Sequence, residues 1–453
     1  MTLQVNNKIG GRAIGAGGFG CVFKPPLKCK IQPPRTYYDG SGVSKLMMEK
    51  DIEKEIEEIN RIKPMLTQIP NYKNFYLIDN VYSCEPQSLD DKDKFLFDKT
   101  CRNFRNSKIN SNTVNSNLGE LGVINLPYGG DEVHEIFEKL IHEKFRDDYD
   151  EEEVYNHVVD KNNEEFVKVS KALINLYING ILPLSDIGLL HLDLKGQNIV
   201  FDGKFARLID WGLAEKYTGS AVVDMYYGPQ FNAPYSNVLF DTDLIEKYFP
   251  TIPDKEEEVF SLVRKMYEEE LKDKGHFDVI VDILKTLYRR EIRTDKEAIQ
   301  HISFYLTQIL MKYNNNGKFD ALKYFNEVYV KNVDLWGFMS SYIAFILSKK
   351  DLWNRELEFR LMALFRKYCY SVNFAIKPIP LTDVFADLLQ MNTKILYGDK
   401  YEQFGNGKRN NKTKKSKKSK KSKKSKKSKK LKQSKKSNKS KKNKQKKQLN
   451  KRN

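Results

Sequence analysis

Residues 9–23, Ile-Gly-Gly-Arg-Ala-Ile-Gly-Ala-Gly-Gly-Phe-Gly-Cys-Val-Phe, limit what this chain can fold into more than any other stretch. Glycines separate two short apolar runs, which predicts strand, glycine turn and strand. Within the stretch Gly15, Gly17, Gly18, Phe19, Gly20 and Val22 fit G-x-G-x-x-G-x-V. Taken alone, that pattern also serves dinucleotide folds and plain structural hairpins. Here it lies between strands, where a dinucleotide fingerprint would open a helix. Glycines let backbone N–H groups approach phosphate oxygens closely, a physical reason to find them together.

A Pro-rich connection follows, with Pro25, Pro26, Pro33 and Pro34. The pattern then predicts a strand over 43–47 and a helix over 51–63, with Ile52, Ile56, Ile59 and Ile62 at helical spacing and Pro64 as its stop. Positions 84–118 are polar and rich in Asn, Lys and Ser, and read as an inserted loop. After the apolar run 121–126, the turn Pro127-Tyr128-Gly129-Gly130 is a candidate boundary between lobes. Downstream, Phe166, Val169, Leu173, Leu176, Tyr177 and Gly180 share a helix face. Segments 198–201 and 205–209, joined at Asp202-Gly203, predict a hairpin. Region 241–333 reads as an insertion of charged helices, and 352–397 as a closing helical stretch.

The formal charge of +18 belongs to one end of the chain. From 408 to 453 there are 26 Lys and Arg and no acid, which leaves 52 basic and 60 acidic residues in 1–407, a net −8. This excludes a basic nucleic-acid-binding fold for the whole protein. Lys-Lys-Ser recurs with period three over 412–430; such a run cannot bury apolar surface and repels itself, so 404–453 is expected to be a disordered tail. The remaining body is long enough for two or three packed units. Cys21, Cys29, Cys84, Cys101 and Cys369 are odd in number and lack a Cys-x-x-Cys pair, so they read as buried thiols of a reducing compartment. The amino terminus lacks an apolar run, and stretches 167–192 and 338–347 are broken or too short to span a bilayer. An intracellular chain without signal peptide or transmembrane segment is expected.

Two further motifs follow in chain order: His191-Leu192-Asp193-Leu194-Lys195-Gly196-Gln197-Asn198 and Asp210-Trp211-Gly212. With them the sequence resembles the eukaryotic-type protein kinases, whose catalytic loop reads H-R-D-L-K-x-x-N and whose magnesium motif reads D-F-G. The resemblance covers residues 9–240. It implies a bilobal α+β fold: a small β-rich N-lobe (8–128) with the polar insertion near 84–118, and a larger helical C-lobe (129–400) with the helical insertion near 241–333. The basic tail (404–453) lies beyond it. Implied cofactors are ATP and Mg²⁺, and the implied reaction is transfer of the γ-phosphate to Ser/Thr hydroxyls of protein substrates, with Tyr as the other acceptor.

By the same resemblance, Asp193 orients or accepts the proton of the substrate hydroxyl, and Lys195 approaches the γ-phosphate. Asn198 and Asp210 are the implied Mg²⁺ ligands, oxygen donors suited to a hard ion. Lys45 holds the α- and β-phosphates and pairs with Glu55, Glu58 being the alternative; Lys24 is the other candidate lysine. Gly15, Gly17, Gly18, Phe19, Gly20 and Val22 cover the nucleotide, and Leu126 and Tyr128 mark the hinge at the adenine edge. Phe231-Asn232-Ala233-Pro234 resembles the end of an activation segment, and Asp334-Leu335-Trp336-Gly337 the start of a buried helix that braces the catalytic loop.

The chain also departs from the family. Leu192 replaces the usual arginine, which implies activity without phosphorylation at Thr218, Ser220, Tyr226 or Tyr227. Trp211 stands for phenylalanine, and Tyr235 for a glutamate. The Asn/Lys/Ile-rich composition and irregular insertions resemble kinases of large DNA viruses, which would place the protein in host cytoplasm or virion. Competing readings are a pseudokinase or scaffold on the same fold, a small-molecule phosphotransferase, and a structural protein whose function is its tail. For that tail the expected partners are nucleic acid, another polyanion such as an anionic membrane surface, or the acidic body; nuclear targeting is a further role.

Overall fold

The computed structural model describes residues 12–16, 20–31, 42–142, 152–225, 228–348 and 352–398. The glycine segment forms a hairpin in which β1 (Arg12–Ala16) and β2 (Gly20–Lys24) pair antiparallel. Gly17, Gly18 and Phe19 at its tip lie outside the described residues, as does the tail over 404–453. β3 (Gly42–Met48), β4 (Tyr82–Cys84) and β5 (Leu121–Pro127) complete a five-stranded antiparallel sheet in the order β1-β2-β3-β5-β4.

Alternation along β3 assigns the two faces of this sheet. Met47 packs with Ile52 of α1 (Glu49–Leu66) and with Ile124, whereas Leu46 packs with Cys21 and Phe23 toward the segment after β4. Pro64 does not stop α1; it sits within the last turn, and the helix continues to Leu66. Proline there forfeits a single N–H bond, and burial of Ile62 and Leu66 on either side sustains the turn.

The polar stretch 84–118 is not an open loop. It contains α2 (Phe97–Thr100) and short helical turns, and Leu89, Phe97, Cys101, Phe104, Ile109 and Val114 make a small core with the sheet. Two disulfides attach this cover, Cys21–Cys101 and Cys29–Cys84, which corrects the reading of these four residues as thiols. Separations of 80 and 55 residues hid the pairing, because sequence spacing says nothing about which residues meet across a sheet. Cys369 alone is free, and buried, so the odd count concealed two pairs. The inference of a reducing compartment loses its support with them.

β6 (Asp131–Glu132), α3 (Val133–His142) and α4 (Glu152–Leu176) come next, followed by a wide turn at Tyr177–Ile181 and α5 (Leu182–Asp186). β7 (Leu189–Leu190) pairs with β10 (Glu215–Lys216); β8 (Ile199–Phe201) and β9 (Ala206–Leu208) form the Asp202-Gly203 hairpin and join β6. Helices α6 (Thr242–Tyr248), α7 (Glu256–Met266), α8 (Phe277–Leu287) and α9 (Asp295–Lys312) follow, the last opened by a capping box between Thr294 and Glu297. A hairpin of β11 (Asn314–Asn315) and β12 (Lys318–Phe319) leads to α10 (Ala321–Tyr324) and α11 (Val330–Ser340), then α12 (Ile343–Leu347), α13 (Arg355–Leu364) and α14 (Leu381–Tyr397).

α11 is buried on every side from Asn332 to Ser340, as expected of a helix with little amphipathic contrast. The helices of 241–333 share one continuous apolar core with α4, α11 and α14, so they are built into the helical region. The architecture is mixed α+β, an N-terminal sheet region followed by a helix-rich region in a general bilobal layout. Contacts divide the chain into Met1–Leu396, to which all of this applies, and Tyr397–Asn453. Among the described residues no helix is long and apolar enough to cross a membrane.

Candidate active site

The sheet register places Val22 opposite Lys45, and Lys45 opposite Ile124. Gly20 is sterically required: a Cβ there would lie 2.8 Å from Lys45 Cγ and 3.0 Å from the Leu46 carbonyl. Lys45 Nζ donates to Glu55 Oε2 at 2.5 Å, with both side chains largely buried. Glu58, nearly one turn on, faces a different neighbourhood. Its carboxyl is pushed up by burial and by repulsion from Glu55 and Asp210, and its Oε2 is 3.6 Å from where a Gly212 Cβ would stand. Lys24 is engaged elsewhere, with Nζ 3.2 Å from the centroid of the Tyr128 ring. Leu126 pairs with Val43, one step before the β3–β5 ladder ends at Gly42 and Pro127, and Tyr128 Oη donates to Asp131 at 2.5 Å. Burial and the Asp131 carboxylate push the Tyr128 phenol up to about 12.

The second group is built on α11. Asp334 accepts the backbone N–H groups of His191 and Leu192, both at 3.1 Å, and burial raises its carboxyl pKa. These bonds hold Leu192 in the left-handed region at φ +63°, where a branched side chain is strained. The strained turn presents Asp193. Its carboxylate accepts from Lys195 Nζ at 2.9 and 2.8 Å, from Asn198 Nδ2 at 2.8 Å and from Asn232 Nδ2 at 2.9 Å. Asn198 Nδ2 also bonds the Asp193 carbonyl at 2.8 Å, so its amide nitrogen is committed and its carbonyl oxygen is left for another partner.

Asp210 likewise has a left-handed backbone, φ +62°, and accepts from Gly212 N at 3.4 Å. Trp211 behind it packs edge-on to Tyr76 and against His191, ring centroids 5.5 and 4.9 Å away. His191 is fully buried; burial lowers its basicity while Asp334, Asp193 and Asp210 oppose that effect. The sheet and helix regions also meet at Arg61, whose Nη2 donates to the Ala214 carbonyl at 2.7 Å.

Five of the site residues named from sequence therefore fall into two hydrogen-bonded sets, Lys45 with Glu55, and Asp193 with Lys195 and Asn198. Asp210 belongs to neither; its charge acts on Glu58 and His191. Beside Asp193 lies a cavity of about 200 Å³ lined by Leu192, Lys195, Leu213, Met225 and Asn232 among others. Among the described residues no three His, Cys, Asp or Glu side chains converge as a metal cluster.

Two groups beside the candidate site escaped the sequence reading. Asn232 was placed in an activation segment without a role; a polar residue between Phe231 and Ala233-Pro234 was the available signal. Glu132 of β6 directly follows the hinge segment and was not singled out. Its Oε1 is 4.0 Å from where a Gly15 Cβ would be, and burial, with Glu135 nearby, pushes its carboxyl up to about 7.

No family model matches the chain. Over 100 residues it is 31% identical to Myosin light chain kinase family member 4 of Mus musculus, a stretch equal to 20% of this chain and 26% of that protein. The likeness is a weak, partial one to a kinase-family protein, and the chain spans about a quarter of that relative's length.

Proposed function

We propose that the chain is an ATP- and Mg²⁺-dependent protein kinase that phosphorylates Ser or Thr hydroxyls of protein substrates, with 8–128 as its N-lobe and 129–400 as its C-lobe. The observation that carries this reading is the Asp193 carboxylate, pinned by Lys195, Asn198 and Asn232 at the mouth of a cavity. A carboxylate so fixed can take or orient the proton of an incoming hydroxyl, and general-base catalysis of this kind contributes roughly 10²- to 10⁴-fold. Lys195, bonded to both carboxylate oxygens, supplies positive charge next to the attacking oxygen.

Lys45, oriented by Glu55, is the cation for the α- and β-phosphates, and the β1–β2 hairpin is the phosphate cover. The donor set fits the metal: the Asn198 carbonyl oxygen and the Asp210 carboxylate are too few for an all-protein cage, but suit an ion bound by one or two side chains plus substrate phosphates. Bound there, Mg²⁺ supplies charge neutralisation at the phosphates. Leu192, packed on the core where the family has arginine, supports catalysis without phosphorylation of the activation segment.

Calorimetric titration with ADP tests the nucleotide site. Magnesium-dependent binding that weakens at least about tenfold in both Asp210→Ala and Lys45→Met is expected, each removing a charged ligand contact. Absence of binding by the wild type, or binding indifferent to both substitutions, contradicts the assignment.

A further inference from the structure

The region 241–333 reaches the candidate site. Its corner between α7 and α8 is Gly275–His276, with Gly275 at φ +56°. The His276 N–H donates to the Pro229 carbonyl at 2.7 Å, and its ring lies 5.1 Å from that of Phe231. The approach leaves no room for a side chain: a Cβ on Gly275 would be 2.3 Å from the Pro229 carbonyl oxygen. The other side of the same segment is held by α11 and its neighbours. The Phe231 carbonyl accepts from Trp336 Nε1 at 3.1 Å and Tyr370 Oη at 3.2 Å. Gly337 presses from below, where a Cβ would be 3.2 Å from the Asn232 carbonyl.

Asn232 is the next residue along this clamped segment, and it is 3% exposed. Its Nδ2 donates to Asp193 Oδ1 at 2.9 Å and to the Leu194 carbonyl at 3.2 Å. With Asn198 Nδ2 on Oδ2, the two amides hold the carboxylate from opposite oxygens and so fix its plane. His276 also feels the charges of Lys195 and Asp193.

We infer that Asn232 is a positioning residue for Asp193, and that the Gly275–His276 corner of region 241–333 holds Asn232 in register with it. The inference rests on the kinase reading, and makes the inserted helices part of the positioning machinery for the reacting carboxylate.

The test uses the full chain, Mg-ATP and a generic basic acceptor protein. Asn232→Ala is expected to lower kcat about 10- to 100-fold, the worth of one hydrogen bond to a charged group, with KM for ATP unchanged. Asn232→Asp adds a like charge beside Asp193 and should move the acidic limb of the pH–rate profile upward. Gly275→Ala, remote from the chemistry, should lower kcat in the same direction and speed backbone amide exchange over 230–233. Unchanged kcat in Asn232→Ala, or a melting temperature that falls while kcat and the pH limb stay put, overturns the positioning role. Wild-type exchange and kcat in Gly275→Ala overturn the corner's part. A wild type that transfers no phosphate overturns the kinase reading, and the catalytic half of the inference with it, while amide exchange still decides the anchoring half.

Discussion

Glu55 and Glu58 lie three residues apart on one helix and meet opposite fates. Glu55 finds Lys45 on the sheet face that α1 covers, whereas Glu58 is carried toward Asp210 and Glu55, two like charges. Helical spacing, with Glu55 on the face of Ile52, Ile56 and Ile59, put Glu55 first and Glu58 as the alternative, and the fold pairs Lys45 with Glu55. The burial penalty on Glu58 gives a signed prediction. Its pKa is raised in the fold, so its contribution to stability is present at low pH and is lost as pH rises through the folded value. Glu58→Gln should therefore melt higher than wild type at neutral pH, with the difference vanishing below about pH 4, where the carboxyl is protonated in both states. Glu55→Gln, which breaks the ion pair, should melt lower. Glu132 behaves likewise over a defined window. The folded chain keeps its proton to about pH 7, against 4.5 for the ordinary carboxyl, so stability should decline between those values. In melts across that range Glu132→Gln should flatten the decline; an identical slope in the variant contradicts it.

At the scale of elements, what was legible depended on whether the signal was local. The glycine hairpin, the Asp202-Gly203 hairpin and the turn at Asp193 carry their own punctuation, and each was readable; α1 was readable by its spacing, while Pro64 misled about its end. β4 was not, since Tyr82–Cys84 is too short to show a period and exists only by pairing with β5. The cover over 84–118 was misread for a related reason: its apolar residues are spread thinly among Asn, Lys and Ser, and gather only through contact with β2 and two disulfides. Within the candidate site the same division holds. Asp193, Lys195 and Asn198 were legible because one turn contains them, while Asn232 enters from a segment 39 residues on.

The disulfides make a firm prediction at this scale. Alkylation of the denatured, unreduced chain should label Cys369 alone, and label all five cysteines after reduction; five labelled before reduction contradicts the pairing. Reduction should lower stability by about 2–5 kcal/mol per bond, read by melts with and without reductant.

On the scale of the whole molecule, charge and chemistry separate. The candidate site residues named from sequence lie within 15–210, in a body of net −8, while 408–453 carries 26 basic residues. A chain ending after Gly407 should keep its melting temperature and the proposed phosphoryl transfer, and lose salt-sensitive retention on a polyanion matrix. A fall in melting temperature would show that the body needs its tail. The body also uses its unusual bulk: helices from 241–333 fill the common core and lend a corner to the segment that carries Asn232.

Phosphoryl transfer centred on Asp193 is tested by incorporation of labelled γ-phosphate from Mg-ATP into basic and acidic acceptor proteins, wild type against Asp193→Ala. Transfer to serine or threonine by the wild type, reduced at least about 100-fold in the variant, is the predicted result. No transfer by the wild type, or transfer that survives Asp193→Ala, would contradict it.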